Sequence, residues 1–380
     1  LDLDRLVAES ARELAPPGTD PAILEALASC DWPSAEVWRA AVAASSLTGS
    51  DGRPLVIDPA GRLFLARYHG HQSDLGAGLL SRSALRRADV DEDVLAAGLR
   101  RLFPSEDTDL QRVAALTAVL RSFAVVSGGP GTGKTTTVVR ILALLVEQAL
   151  AAGGRPPQIE LLAPTGKAAA RMGEAIRGAV AGLDVSSAVR AGIPVEGRTI
   201  HRGLGYVGRA TEFRHGPGNP LAADVVIVDE ASMIAFALLA RLVSAVPSSA
   251  RLILLGDKDQ LASVEAGAVL GDICNAGDPW RYTPGWAATV AEVAGDDVSG
   301  VQGPSGPLGD CLVQLTHSWR FGDASGIGAV ARAVNDGDSA GVLRLFDDER
   351  CPDIRWVAYP TTALALPNEL LNEAMEGFSG

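Results

Sequence analysis

Lysine is nearly absent from this chain. Only Lys134, Lys167 and Lys258 occur, against 30 arginines, so the abundant arginine reads as an Arg-for-Lys bias and each lysine stands out. Long apolar runs are missing too. No stretch reaches the roughly 18–20 residues of a membrane span, and Arg140 and Glu147 interrupt the longest candidate, Val138–Leu150. A membrane partner is therefore not expected. Leu1–Asp20 is charged throughout, unlike a signal peptide. The four cysteines, Cys30, Cys274, Cys311 and Cys351, form no C-x-x-C pair. This pattern excludes a disulfide framework and suits free thiols in a reducing cytoplasm. Positive charge is in deficit, with a net charge of −13. That argues against a nucleic-acid partner for the surface as a whole, but a binding channel needs only a local basic stripe.

One of the rare lysines lies in Phe123–Thr137, which contains G-x-x-x-x-G-K-[ST] as Gly128, Gly129, Pro130, Gly131, Thr132, Gly133, Lys134 and Thr135, followed by Thr136. The apolar run Phe123–Val126 leads in as a buried strand, and a helical pattern over Thr135–Leu150 leads out. Such a glycine-rich loop turns successive backbone N–H groups toward one point, and the following helix adds its positive end. Lys134 is placed to reach the β- and γ-phosphates of a nucleotide, and the Thr135 hydroxyl to bind Mg²⁺.

A length of 380 residues suggests two or three domains. Residues 1–105 read as a mainly helical accessory domain, with a hairpin at Pro54–Arg67 and the pair His69 and His71 on a solvated turn. Thr108–Leu120 is an amphipathic helix. Then short apolar runs, Phe123–Val126, Ile159–Ala163, Val225–Val228 and Leu252–Leu255, alternate with helical segments such as Lys167–Arg177 and Phe236–Ala245. The pattern predicts an α/β P-loop NTPase domain over 106–312, a mostly parallel sheet covered by helices on both faces. Residues 295–310, rich in Gly, Pro, Ser and Asp, read as a flexible loop. Beyond them, strands over Cys311–Leu315 and Ile354–Ala358 and a helix over Ile327–Asn335 suggest an incomplete second domain, 313–380.

Ligands of such sheets bind at the carboxyl ends of the strands. There, Val225–Val228 ends in Asp229 and Glu230. Asp229 suits the Mg²⁺ site, and Glu230 suits polarising the water that attacks the γ-phosphate. Gln260 lies just past another strand tip; its amide can bond both γ-phosphate and water. Arg320, in His317-Ser-Trp-Arg-Phe, offers a guanidinium fork for a transition-state phosphate. A second set points to a nucleic-acid backbone: Pro164, Thr165 and Lys167 after one strand, and Thr199, His201 and Arg202 in a segment where Arg198, Arg202, Arg209 and Arg214 face only Glu212. Tyr206 and Phe213 suit base stacking.

In this order, Gly128–Thr136, Ala163–Ala169, Thr199–Gly205, Asp229–Ser232, Gly256–Gly267 and Leu315–Phe321 resemble the six leading motifs of superfamily 1 helicases, most closely the RecD family, the alpha subunits of exodeoxyribonuclease V (RecBCD). The resemblance spans roughly Leu110–Asn335. It implies RecA-like domains, an adenine-contacting Gln111, and ATP-driven 5′ to 3′ movement along single-stranded DNA in double-strand break repair. It also implies an inserted DNA-contacting subdomain over Tyr206–Ala222, Arg320 acting from the second RecA-like domain, and assembly at DNA ends with RecC-like and RecB-like subunits. Nothing in Gly322–Gly380 resembles the family's later motifs V and VI, so a longer protein is expected. The rival readings are a stand-alone or conjugation-type helicase of the same superfamily and a non-catalytic subunit that binds ATP to hold an assembly together.

Overall fold

The computed structural model describes residues 2–3, 5, 19–30, 33–49, 52–105, 107–207, 213–260, 269–276, 281–319, 325–356 and 371. The chain divides into two compact units, Leu1–His317 and Ser318–Gly380.

The first unit is built on a six-stranded parallel sheet. A small antiparallel hairpin, β1 (Leu55–Ile57) with β2 (Leu63–Leu65), precedes it. The sheet comprises β3 (Phe123–Gly128), β4 (Ile159–Ala163), β5 (Arg198–Thr199), β6 (Val225–Val228), β7 (Arg251–Gly256) and β8 (Leu312–Leu315), in the order β5-β4-β6-β7-β3-β8. Every residue of β3, β6 and β7 is buried, which is why these strands read as unbroken apolar runs rather than alternating ones. Alternation survives in direction. Ala124, Val126, Val225, Ile227, Ile253 and Leu255 enter one core; Phe123, Val125, Val226, Val228, Leu252 and Leu254 enter the other. The glycine-rich loop follows β3, with β6 and β7 to one side and β8 to the other. This is a RecA-like P-loop fold. All six strands run one way, so their carboxyl tips share one edge.

Helices cover both faces. Those needed below are α1 (Ala66–Ser83), α2 (Leu110–Leu120), α3 (Lys134–Ala151), α4 (Gly166–Val180), α5 (Ile200–Leu204) and α6 (Phe236–Ala245). Three features depart from the sequence reading. First, part of the amino-terminal region belongs to the sheet's own cover. Leu95, Leu99, Leu102 and Phe103 enter one core and Leu75 and Leu79 the other. The buried Arg82 of α1 donates to the carbonyls of Val246 and Ala250, at 2.6 and 2.9 Å, just beyond α6. His69 and His71 therefore sit on a helix, not a turn. Second, the segment 295–310 is pinned. Asp296 is fully buried and accepts from Arg112 Nε and Nη2 at 2.8 and 2.6 Å, while Val298 and Leu308 join the buried set. Its composition suggested a loop because the charges that anchor it find their partners far away: Arg112 lies 184 positions from Asp296, and Arg121, which donates to Asp310 at 3.0 Å, lies 189 away. Third, β8 closes the edge of the first sheet, pairing Val125–Gly128 with Leu312–Leu315, so the first unit runs past 312.

In the second unit, helices Gly326–Asn335 and Ser339–Phe346 are described. Asp353 holds the start of the former, accepting from Ser325 Oγ and Gly326 N at 2.7 Å each. Ile354–Trp356 is not a strand; the remainder of that expected strand lies outside the described residues.

Candidate active site

The loop between β3 and α3 owes its shape to glycine. Gly131 and Gly133 take φ of 79° and 83°, left-handed values that L side chains resist. Gly133 caps α3 with no side-chain hydrogen bond, which leaves the backbone N–H groups of the first turn for an anion. Gly128 is needed for space instead, since a Cβ there would lie 2.6 Å from Thr132 Oγ1 and 2.9 Å from Leu315 Cβ. It lets β8 close in beside the loop. Gly129 and Gly131 are half-buried, Pro130 is exposed, and Thr132 is buried with its hydroxyl donating to the Gly129 carbonyl at 2.9 Å. Thr135 and Thr136 lie on the first turn of α3, and both are exposed.

Lys134 Nζ donates to the Gly128 carbonyl and, at 3.2 Å, to that of Gly129. Burial lowers its pKa, while Asp257, Glu230 and Asp229 pull it back up. Strands β6 and β7 thus bring their carboxylates to the lysine from β3. Asp229 shifts the other way: burial raises its carboxyl, Glu230 adds to that, and the Glu230 backbone N–H, 2.9 Å away, and Lys134 oppose it. Glu230 has φ of 54°, the sole left-handed non-glycine among the described residues. Backbone strain of this kind costs roughly 1–3 kcal/mol and is concentrated at functional sites. Gln260 is exposed and accepts from Ser232 Oγ at 2.9 Å. Gln111 is buried, donating through Nε2 to the Thr132 carbonyl at 2.9 Å; Arg140, stacked over Phe103, reaches its Oε1 at 3.4 Å. These residues fit a nucleotide triphosphate and its cation: a glycine-shaped amide cradle, a desolvated lysine, and a carboxylate whose burial raises its pKa.

The sequence reading assigned Asp257 no role. Its carboxylate would lie 3.9 Å from a Cβ on Gly129, and its position at the tip of β7 was the available signal. It also missed the second contact at that tip, where Lys258 N donates to Ser127 Oγ at 3.1 Å. Arg320 lies outside the described residues.

The second set sits at the tips of β4 and β5, along the same edge. Pro164 is half-buried; Thr165, Lys167, His201 and Arg202 are exposed. Thr165 and Thr199 also have a structural duty, capping α4 and α5 by accepting from Ala168 N and Arg202 N at 3.2 Å each; their hydroxyl protons remain available to an acceptor. His201, Tyr206 and Phe213 form a ring cluster with centroids 5.8–6.2 Å apart. Arg198 does not belong to the basic excess, because Glu160 pairs with it at 2.5 Å. Arg209 and Glu212 lie outside the described residues.

A family model described as an AAA domain matches residues 111–266. The RecBCD enzyme subunit RecD of Mycobacterium tuberculosis is 41% identical over 340 residues, covering 87% of this chain and 52% of that protein. The Haemophilus influenzae subunit of the same name is 42% identical over 262 residues, covering 67% and 40%. The chain belongs with the RecD-like superfamily 1 helicases.

This RecD-like chain spans about half the length of the curated relatives it matches. It is also similar to the ATP-dependent RecD2 DNA helicase of Deinococcus radiodurans, 34% identical over 220 residues and covering 58% of this chain and 27% of that one. Among solved structures, the Pif1 helicase of Candida albicans is 16% identical with a TM-score of 0.34, covering 71% and 53%. A likeness that distant carries no weight; the RecA-like assignment rests on strand order. Among the described residues, no helix is long and apolar enough to cross a membrane.

Proposed function

We propose that the RecD-like protein, at its full encoded length, is an ATP-dependent 5′ to 3′ DNA helicase subunit of a RecBCD-type helicase–nuclease, acting in the cytoplasm on DNA ends with RecB-like and RecC-like subunits in recombinational repair. The observation that carries this reading is the convergence of Asp229, Glu230 and Asp257 on Lys134 beside a glycine-shaped loop.

In this reading, Lys134 and the loop amides hold the β- and γ-phosphates, and Gln111 braces the loop while contacting adenine. Thr135 and Asp229 are the residues that would hold Mg²⁺, which supplies charge neutralisation at the transferring phosphoryl group. Glu230 orients and polarises the attacking water. Gln260, bonded to Ser232, reports on the γ-phosphate. Arg320, outside the described residues, is the arginine proposed for the transition-state phosphate. Pro164, Thr165, Lys167, Thr199, His201 and Arg202 track the single strand.

The test is DNA-stimulated ATPase and unwinding of a tailed duplex by the full-length protein with its partner subunits. Lys134→Ala should reduce ATP turnover by about 10²-fold or more, since a preorganised charge at a transferring phosphoryl group is worth that much; wild-type turnover in the variant would refute the assignment. The RecD2 likeness favours a second reading, a stand-alone helicase. Unwinding by the isolated subunit, with no co-purifying partner, would select it.

A further inference from the structure

We propose that a cavity of about 450 Å³ at the amino-terminal edge of the sheet is an oxyanion-binding site formed by Arg251, Arg155 and Arg87. It lies away from the nucleotide loop. Arg251 opens β7 and Val225 opens β6, whereas Asp257 and Asp229 follow the far ends of the same strands. At about 3.3 Å per residue, the length of β7 separates the two sites by roughly 20 Å.

The case rests on donors without acceptors. The side chain of Arg251 is only 10% exposed. Its Nε donates to the Val119 carbonyl at 3.1 Å. Its Nη2 lies 3.7 Å from Asp89 Oδ1, too far for a hydrogen bond. That carboxylate is already held by Arg87, which donates to both of its oxygens at 2.9 and 2.8 Å and to the Ser249 carbonyl at 2.7 Å. The terminal nitrogens of a nearly buried guanidinium therefore line the cavity without a hydrogen-bonded acceptor among the described residues. Burial and the neighbouring Arg87 push the Arg251 pKa down to about 10, against the pull of Asp89 and Asp224. Across the cavity, Arg155 is 65% exposed and contacts Asp224 loosely at 3.4 Å.

Three arginines face two aspartates, a net charge of +1 in a protein of −13. Gln148 and Ala149, from the last turn of α3, also line the cavity, and a helix carboxyl end repels anions. Here that end is closed: the carbonyls of Gln148, Ala149 and Leu150 accept from the N–H groups of Ala152, Gly154 and Gly153. A guanidinium fork matches two oxygens of a phosphate or carboxylate. The fitting ligand is a small phosphate monoester or carboxylate with one or two charges.

Calorimetric titration of the full-length protein tests this, with inorganic phosphate and acetate added separately at constant ionic strength. A saturating non-hydrolysable ATP analogue fills the nucleotide loop. One saturable site is expected; tighter phosphate binding identifies a phosphate-type ligand, and tighter acetate binding a carboxylate type. Two exposed substitutions should act in opposite directions. Arg155→Gln should weaken binding about tenfold, the worth of one charged hydrogen bond. Asp224→Asn should tighten it, because a competing carboxylate is gone while an acceptor for Gln158 N, bonded at 2.8 Å, remains. No binding of either anion, or binding that neither substitution alters, would overturn the proposal.

Discussion

Replacing Asp296 with alanine removes the acceptor for one of the most enclosed charges in the first unit. Arg112 and Asp296 side chains are 6% and 0% exposed. Asp296 accepts three bonds: two from Arg112 and one, at 2.8 Å, from Asp109 N at the cap of α2. Without it, the guanidinium keeps, among the described residues, the carbonyls of Phe103, Ser105 and Asp107. Stranding one member of a buried pair costs about 3–5 kcal/mol. Unfolding entropy of about 2.1 cal/mol/K per residue gives a unit ending at His317 close to 0.7 kcal/mol/K. The melting temperature should therefore fall by roughly 4–7 °C in differential scanning calorimetry. The double variant Arg112→Leu/Asp296→Leu should recover most of that loss, since a matched apolar pair is often no less stable than the ion pair. The cap of α2 precedes Gln111, so Asp296→Ala should also raise the KM for ATP more than it lowers kcat. A single variant melting within about 1 °C of the wild type would refute the reasoning.

Other changes separate chemistry from binding. Glu230→Gln should leave fluorescent-ATP affinity intact and slow hydrolysis by about 10²–10⁴-fold; a normal rate would remove Glu230 as the base. Asp229→Asn should raise the melting temperature without nucleotide at pH 7. Burial raises the native carboxyl above its unfolded value, so the native state binds the proton more tightly, and this destabilising contribution at neutral pH fades as pH falls through the native pKa. The wild type should thus gain on the variant with acidification, and melting curves at pH 7 and pH 5 check the sign. Arg202→Gln should weaken single-strand binding and lower its salt slope by about 1, measured by fluorescence anisotropy; an unchanged slope would free Arg202 from phosphate contact.

The nucleotide half of the site was legible because its chemistry is local. The loop, its lysine and the strand tips are short contiguous stretches, and fully buried parallel strands announce themselves as apolar runs; Ile159–Ala163 and Val225–Val228 have the boundaries their composition predicts. What was not legible depends on pairs far apart in sequence. Nothing around Asp296 signals Arg112, and nothing in Leu312–Leu315 says which sheet it joins. Thr165 and Thr199 show a subtler limit, since a hydroxyl before a helix is equally a cap and a phosphate contact. Arg198 belonged to a basic segment by composition, yet its charge is matched by Glu160 on the neighbouring strand.

The strand order has a thermodynamic consequence. β6, which leads to Asp229, lies directly between β4, which leads to Thr165, and β7, whose tip approaches the loop. Neighbouring strands are about 4.8 Å apart, so a ligand gripped at Thr165 and a cation held at Asp229 would act on adjacent ladders of one rigid sheet. Coupling between them needs no relay through the core. In the proposed function it would also be reciprocal: whatever factor ATP imposed on affinity for a single strand, the strand would impose on affinity for ATP.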